Sequence, residues 1–178
     1  MSHTHPVSSR AFASIDVRES AIRSHDTLPP SLQSGTRNAD PSVWPVLDSV
    51  GALFDANRHR LEQEADDVGM ICFGNAFPKA TSQRIISDIA RAGRVSPTAF
   101  INANAGAALS ICCTRFGFRG PTLNLTMHED RARYIVDAIA SSWLEGGSAR
   151  YLILVNTRFD PASGISATST LTARHAHS

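Results

Sequence analysis

The sequence is short of the features that usually announce a function. Cysteine is scarce: Cys72, Cys112 and Cys113 are the three in 178 residues. Three thiols in apolar settings make no disulfide framework and read as reduced, which places the expected compartment in the cytoplasm. A charge surplus is missing too, with 17 Lys plus Arg against 16 Asp plus Glu and a formal net charge of +1. That balance argues against a dedicated nucleic-acid binder, which normally shows a basic stripe. No apolar run approaches the ~20 residues that span a bilayer, so no membrane partner is expected. Met1 to Arg10 is polar and lacks the apolar stretch of a secretory leader. There is no internal repeat and no heptad.

What is present is a core-forming middle between polar ends. Apolar residues make up 42% of the chain, enough for one domain; two would ordinarily need about 100–200 residues each. Residues 1–40 are rich in Ser, Thr, His, Pro and Arg. They bury too little apolar surface to offset ordering and are expected to be mostly mobile. Only Ala11 to Val17 alternates as a strand would. Residues 161–178 read as a polar tail, with weak β character from Ile165 to Leu171.

Between them, over 41–160, the pattern is regular. Leu47, Val50, Leu53, Phe54 and Leu61 share a helical face. Val68 to Gly74 is a buried-strand run. Ile85, Ile86 and Ile89 mark a second amphipathic helix closed by Gly93. Ser96-Pro97 opens a loop. Ala103 to Phe116 has helical spacing with apolar residues nearly all round, which predicts a helix buried on every side. Thr122 to Thr126 alternates as a strand. A helix through Ala132, Ile135, Val136, Ile139 and Trp143 follows, then the β-rich run Tyr151 to Val155. Strands alternating with helices predict an α/β fold with a mixed, mostly parallel sheet and a buried helix layer.

Three stretches carry a likeness: Ser96-Pro97-Thr98-Ala99-Phe100, then Asn104-Ala105-Gly106-Ala107-Ala108, then Arg115-Phe116-Gly117-Phe118-Arg119-Gly120-Pro121-Thr122. In this order and spacing they resemble the β-ketoacyl synthases of the thiolase-like superfamily. The closest flavour is the divergent polyketide and aryl polyene branch. The resemblance runs from about Leu47 to Val155 and covers only the N-terminal repeat of a two-repeat fold. It implies that the strand Thr122 to Thr126 pairs with a twin across a dimer axis. Asn104, Gly106, Phe116, Thr122, Leu123, Asn124, Leu125 and Thr126 then become the candidate interface. The implied partner is a full-length ketosynthase or a second copy, with an acyl-carrier protein as a further possibility.

The resemblance also places the family's acyl-accepting cysteine eight residues after the Gly-Pro proline, at the start of the next helix. Here that residue is Glu129. The family's two catalytic histidines come from a C-terminal half that this sequence does not reach, and His175 and His177 carry no such motif. The expected role is therefore a non-catalytic, chain-length-factor-like subunit of polyketide or fatty-acyl biosynthesis. The alternatives are a reduced acyltransferase using Cys112 or Cys113 with partner histidines, or an inactive relic.

Other residues have plainer readings. Thr126-Met127-His128-Glu129 fits a capping box, with a catalytic carboxylate as the competing role of Glu129. His128-Glu129-Asp130 is not completed to a zinc motif, because Ala132 stands where the second histidine would fall. His3, His5, His175 and His177 sit in the terminal segments, and no metal or cofactor is expected. Cys72, Cys112 and Cys113 read as buried small hydrophobes. Gly74-Asn75-Ala76-Phe77 lacks the glycine spacing of a phosphate loop. Arg115 and Arg119 compensate a helix C-terminus or meet an acidic carrier protein.

Overall fold

The structure, a computed structural model, describes residues 12–174. Its strands are β1 (Phe12–Ser20), β2 (Val68–Gly74), β3 (Thr122–Thr126), β4 (Tyr151–Asp160) and β5 (Gly164–Arg174). Its helices are α1 (Pro30–Gln33), α2 (Val43–Ala56), α3 (Arg58–Gln63), α4 (Lys79–Ala92), α5 (Pro97–Asn102), α6 (Ala107–Phe116) and α7 (Glu129–Glu145). One five-stranded sheet runs β1-β5-β4-β2-β3. β2 lies parallel to β3 and β4, while β5 runs antiparallel to both β4 and β1.

The centre of the sheet follows from continuous apolar runs. Every residue of β2 is buried, as a strand covered on both faces requires. Period-2 alternation divides its side chains. Met70 and Cys72 join Ile153 and Val155 of β4 in a core under α2 and α6. Ile71 and Phe73 join Leu152 and Leu154 under α7, against Ala132, Val136, Ala140 and Leu144. α2 and α6 meet through rings: Phe116 lies 4.9 Å from Phe54 and 5.7 Å from Phe118. Gly120 lets the Gly-Pro turn lie on β2, since a Cβ there would stand 2.6 Å from the Val68 carbonyl.

Several expectations change. Residues 12–40 are not a mobile lead-in: β1 is a nine-residue strand, and Leu28 and Leu32 are buried against α2. A few widely spaced apolar anchors hold a polar segment whose backbone groups bond locally, and average composition does not weigh those anchors. Thr36, for example, donates to the Leu32 carbonyl at 3.0 Å. The segment 161–178 is likewise no tail over its described part, because β5 sits between β4 and β1. Its hydroxyl-rich face hides the alternation of Ala167, Ser169 and Leu171, all buried under α2. Ser49 of α2 meets Ser169 there, hydroxyl to hydroxyl, at 2.7 Å. With β1 and β5 included, two of the four strand pairings are antiparallel.

The helix expected over Ala103 to Phe116 is shorter and is not buried all round. The side chain of Asn104 accepts from the Gly106 amide at 2.8 Å, an Asx turn that separates α5 from α6. Only Ala108, Leu109 and Cys112 of α6 are buried. α4 forms and ends at Gly93 as expected, but its apolar stripe faces outward. Ile86 is 67% exposed and Ile89 51%. The helix is tethered instead by its N-terminus, where the buried Asp40 carboxylate accepts from the Thr81 amide at 2.8 Å and from the Ser42 amide at 2.9 Å.

Candidate functional site at the start of α7

α7 begins where the C-terminal ends of β2 and β4 converge, the usual location of ligand clefts in open α/β sheets. Gly74 makes the approach possible. Its φ is +134°, and a Cβ there would lie 1.9 Å from the Thr157 carbonyl oxygen. Thr157 in turn donates its hydroxyl to the Phe73 carbonyl at 3.2 Å. Asn75 is clamped to the end of β4, accepting from the Phe159 amide at 2.7 Å. A cavity of 250 Å³ opens there, lined by Asn75, His128, Glu129, Thr157, Arg158 and Phe159 among others.

Glu129 is the first residue of α7, and the capping box expected from Thr126 does not form. His128 is the N-cap residue and makes no side-chain cap bond. Met127 is still held to Gly74 by a β-bridge, so the helix starts later than a box would need. Glu129 therefore occupies the first helical position rather than the third and cannot reach back to the cap. Its carboxylate pairs instead with Arg133 one turn on and with Arg158 of β4, whose Nε donates at 3.0 Å. Hydrogen bonding from Asn156, then from Arg158 and Arg133, holds the carboxyl down to about 2 against the opposing cost of burial. The Glu129 side chain is 17% exposed. At neutral pH it is a locked anion, unsuited to donating or accepting a proton.

The thiols are elsewhere. Burial pushes Cys72 up to about 12 and raises Cys112 and Cys113 as well. Cys112 is fully buried and Cys113 half-buried, its Sγ donating to Met70 Sδ at 3.8 Å. Both lie in the second half of α6, away from the N-terminal amides that lower a thiol pKa. Among the described residues no group of three His, Cys, Asp or Glu side chains is placed to hold a metal. The four terminal-segment histidines lie outside the described residues. No described helix is long and apolar enough to cross a membrane.

The residues named for an interface separate into two groups. β3 is an edge of the sheet, pairing with β2 on one side only among the described residues. Leu123 and Leu125 pack toward α7, while Thr122 and Thr126 are exposed. Asn124 and Asn104 share a small cavity at the start of α6, next to Phe77 and Asn102. Gly106 is the N-cap residue of α6. Phe116, at the far end of α6, spends its ring on Phe54 and Phe118. Arg115 donates to the Ser31 carbonyl at 2.7 Å and to that of Ser34, so it closes α1 rather than its own helix. Arg119 pairs with Asp66 at 2.9 Å. Sequence reasoning missed Arg133, Arg158 and Asn156. Arg133 was legible as an i,i+4 partner of Glu129, whereas the other two arrive from a strand with no local cue.

No protein-family model matches the sequence, and no curated protein sequence does. Solved structures do match in three dimensions. One is a chain of a ketosynthase in complex with its chain length factor from Xenorhabdus doucetiae, at TM-score 0.67 and 12% identity. That match covers 93% of this chain and 80% of the other. The ishigamide ketosynthase/chain length factor matches at TM-score 0.66 and 13% identity, over 79% of this chain and 45% of that one. A type II polyketide synthase acyl-carrier protein in complex with its ketosynthase matches at 0.68 and 11%, over 84% and 50%. This chain thus spans about half the length of the latter two and most of the first. The likeness establishes the fold, which is the α/β, thiolase-like fold of the ketosynthases.

Proposed function

We propose that this chain, which has the ketosynthase fold, is a non-catalytic ketosynthase-like subunit of polyketide or fatty-acyl biosynthesis. It pairs with a full-length ketosynthase and helps to shape that enzyme's acyl site, as a chain length factor does. One observation carries the reading: the start of α7, where the resemblance puts the nucleophilic cysteine, holds Glu129 locked by Arg133, Arg158 and Asn156. A thiolate there would profit from the helix N-terminus. A carboxylate already neutralised by two guanidiniums forms no acyl-enzyme.

The pairing is supported by an open sheet edge and by exposed apolar side chains. Among the described residues β3 presents unpaired backbone groups along one edge. α4 and α5 hold out Ile86, Ile89, Phe100 and Ile101, each more than half exposed. Phe77, 50% exposed and beside Asn104 and Asn124, continues that surface toward β3. Large apolar side chains held out on two helices that pack together are the kind of feature that marks an interaction site. The long coverage of one chain from a ketosynthase and chain length factor complex supports a partner of this class.

The test is co-expression with a full-length ketosynthase from the same cell, followed by sedimentation velocity. A heterodimer is expected. Replacing Asn124 with proline, which blocks strand addition at the edge, should abolish it while leaving the fold intact by circular dichroism. A monomer that never sediments with the ketosynthase contradicts the reading.

A further inference from the structure

The sheet has two faces, and they are covered unequally. α2 lies across β5 and β1 on one face. On the other, α7 covers β2 and β4, and a groove with a cavity of 390 Å³ remains beside it over β5 and β1. In a two-repeat fold this is the face on which a second repeat would have room to pack. The register shows what the groove floor is made of. Leu152 of β4 pairs with Thr172, which pairs with Ser14. Leu154 pairs with Thr170, and that with Val17. Asn156 pairs with Thr168, and that with Glu19. Residues directly opposite share a face. The rows from Leu152 and Leu154 leave the α7 core for threonines, and the three rows end in Ser14, Val17 and Glu19; Phe12, at one end of the groove, is buried with the α7 core.

The wall of the groove repeats the pattern. Arg133 and Asp137 of α7 line it, and the Arg133 side chain is 52% exposed. Arg158, 66% exposed, lines its end. Thr172 is already buried, its hydroxyl donating to the Leu152 carbonyl at 3.1 Å, but a dry layer laid over the rest of this floor would strip water from Ser14, Thr168, Thr170, Glu19 and two guanidiniums while gaining little apolar contact.

We propose that this face is a water face in the working protein: no second repeat, from this or another chain, packs on β5 and β1 beside α7. The partner surface is the one proposed above, on β3, α4 and α5. This deepens the proposed function and rests on it only for the identity of the partner.

Site-directed thiol labelling tests it on the full chain. The three native thiols are buried or half-buried with raised pKa, so an introduced surface cysteine is read against a low background. Ser14→Cys reports the groove and Ile101→Cys the α4–α5 surface, each alkylated with a maleimide, alone and with the full-length ketosynthase. Ser14→Cys is expected to react at the same rate within threefold in both states, and Ile101→Cys to slow at least tenfold in the complex. Glu19→Cys is the second groove reporter should Ser14→Cys fold poorly. Protection of either groove cysteine by tenfold or more, in the complex or in the chain alone, overturns the proposal. Where no complex forms, Ile101→Cys stays reactive and the proposed function fails. The groove is then judged on the chain alone, where fast labelling upholds it and slow labelling sinks it.

Discussion

Replacing Glu129 with glutamine keeps the shape and the contact with Asn156 but removes the charge that ties α7 to β4. The carboxyl titrates at about 2 in the folded protein against an ordinary value of 4.5. Each unit of difference corresponds to about 1.4 kcal/mol, so the full linkage would approach ~3 kcal/mol. Both arginines are more than half exposed, and solvent screening reduces this to about 1–2 kcal/mol. For a domain of this size that is roughly 2–8 °C in Tm. The sign follows from the depressed pKa: the stabilisation is complete above about 4.5 and is lost as pH falls toward 2. Thermal unfolding followed by circular dichroism at pH 7, 5, 4 and 3 measures it. Glu129→Gln should melt lower than the parent at pH 7 and 5, with the gap closing at pH 4 and 3. A gap that is absent at pH 7, or that stays constant down to pH 3, refutes the reasoning.

Other outcomes follow from the same geometry. Asp40→Ala leaves the Ser42 and Thr81 amides without their buried carboxylate. It should lower unfolding free energy in urea by about 2–4 kcal/mol, since each charge-assisted bond contributes ~1.5–3 and water recovers part of that. Gly74→Ala puts a Cβ 1.9 Å from the Thr157 carbonyl at a φ of +134°; little soluble protein should be recovered, and any that folds should melt well below the parent. A chromogenic disulfide at pH 8 should leave Cys72 and Cys112 unreacted in the native protein and reach all three thiols only in denaturant, as their burial requires. Ile86→Asp combined with Ile101→Asp should leave Tm within ~2 °C, because exposed positions contribute little to the fold, while weakening association with the ketosynthase at least tenfold.

The core was legible where one residue type repeats at one period. β2 and the Tyr151 to Val155 part of β4 are apolar runs, and of the α7 residues read at helical spacing Ala132 and Val136 are buried, with Ile139 and Trp143 packed against them, while Ile135 is 36% exposed. The edges of the fold were not. β5 alternates between small buried residues and threonines, a contrast too shallow for composition, and it was assigned to a tail. The isoleucines of α4 have sound amphipathic spacing, yet periodicity names a face without saying what covers it; here they face outward. At the site, Glu129 could be located by counting from Gly120-Pro121. Its role could not, because the bonds that define it come from Asn156 and Arg158, whose contact is made by the sheet and not by neighbouring sequence.

The subunit proposed above shapes an acyl site without carrying the acyl group. Intact-mass spectrometry of the chain and its ketosynthase partner, incubated together with an acyl-carrier protein loaded with an acyl thioester, tests it most directly. An acyl adduct is expected on the partner alone, with this chain at its unmodified mass. An adduct on this chain, at Cys72, Cys112, Cys113 or Glu129, would contradict it.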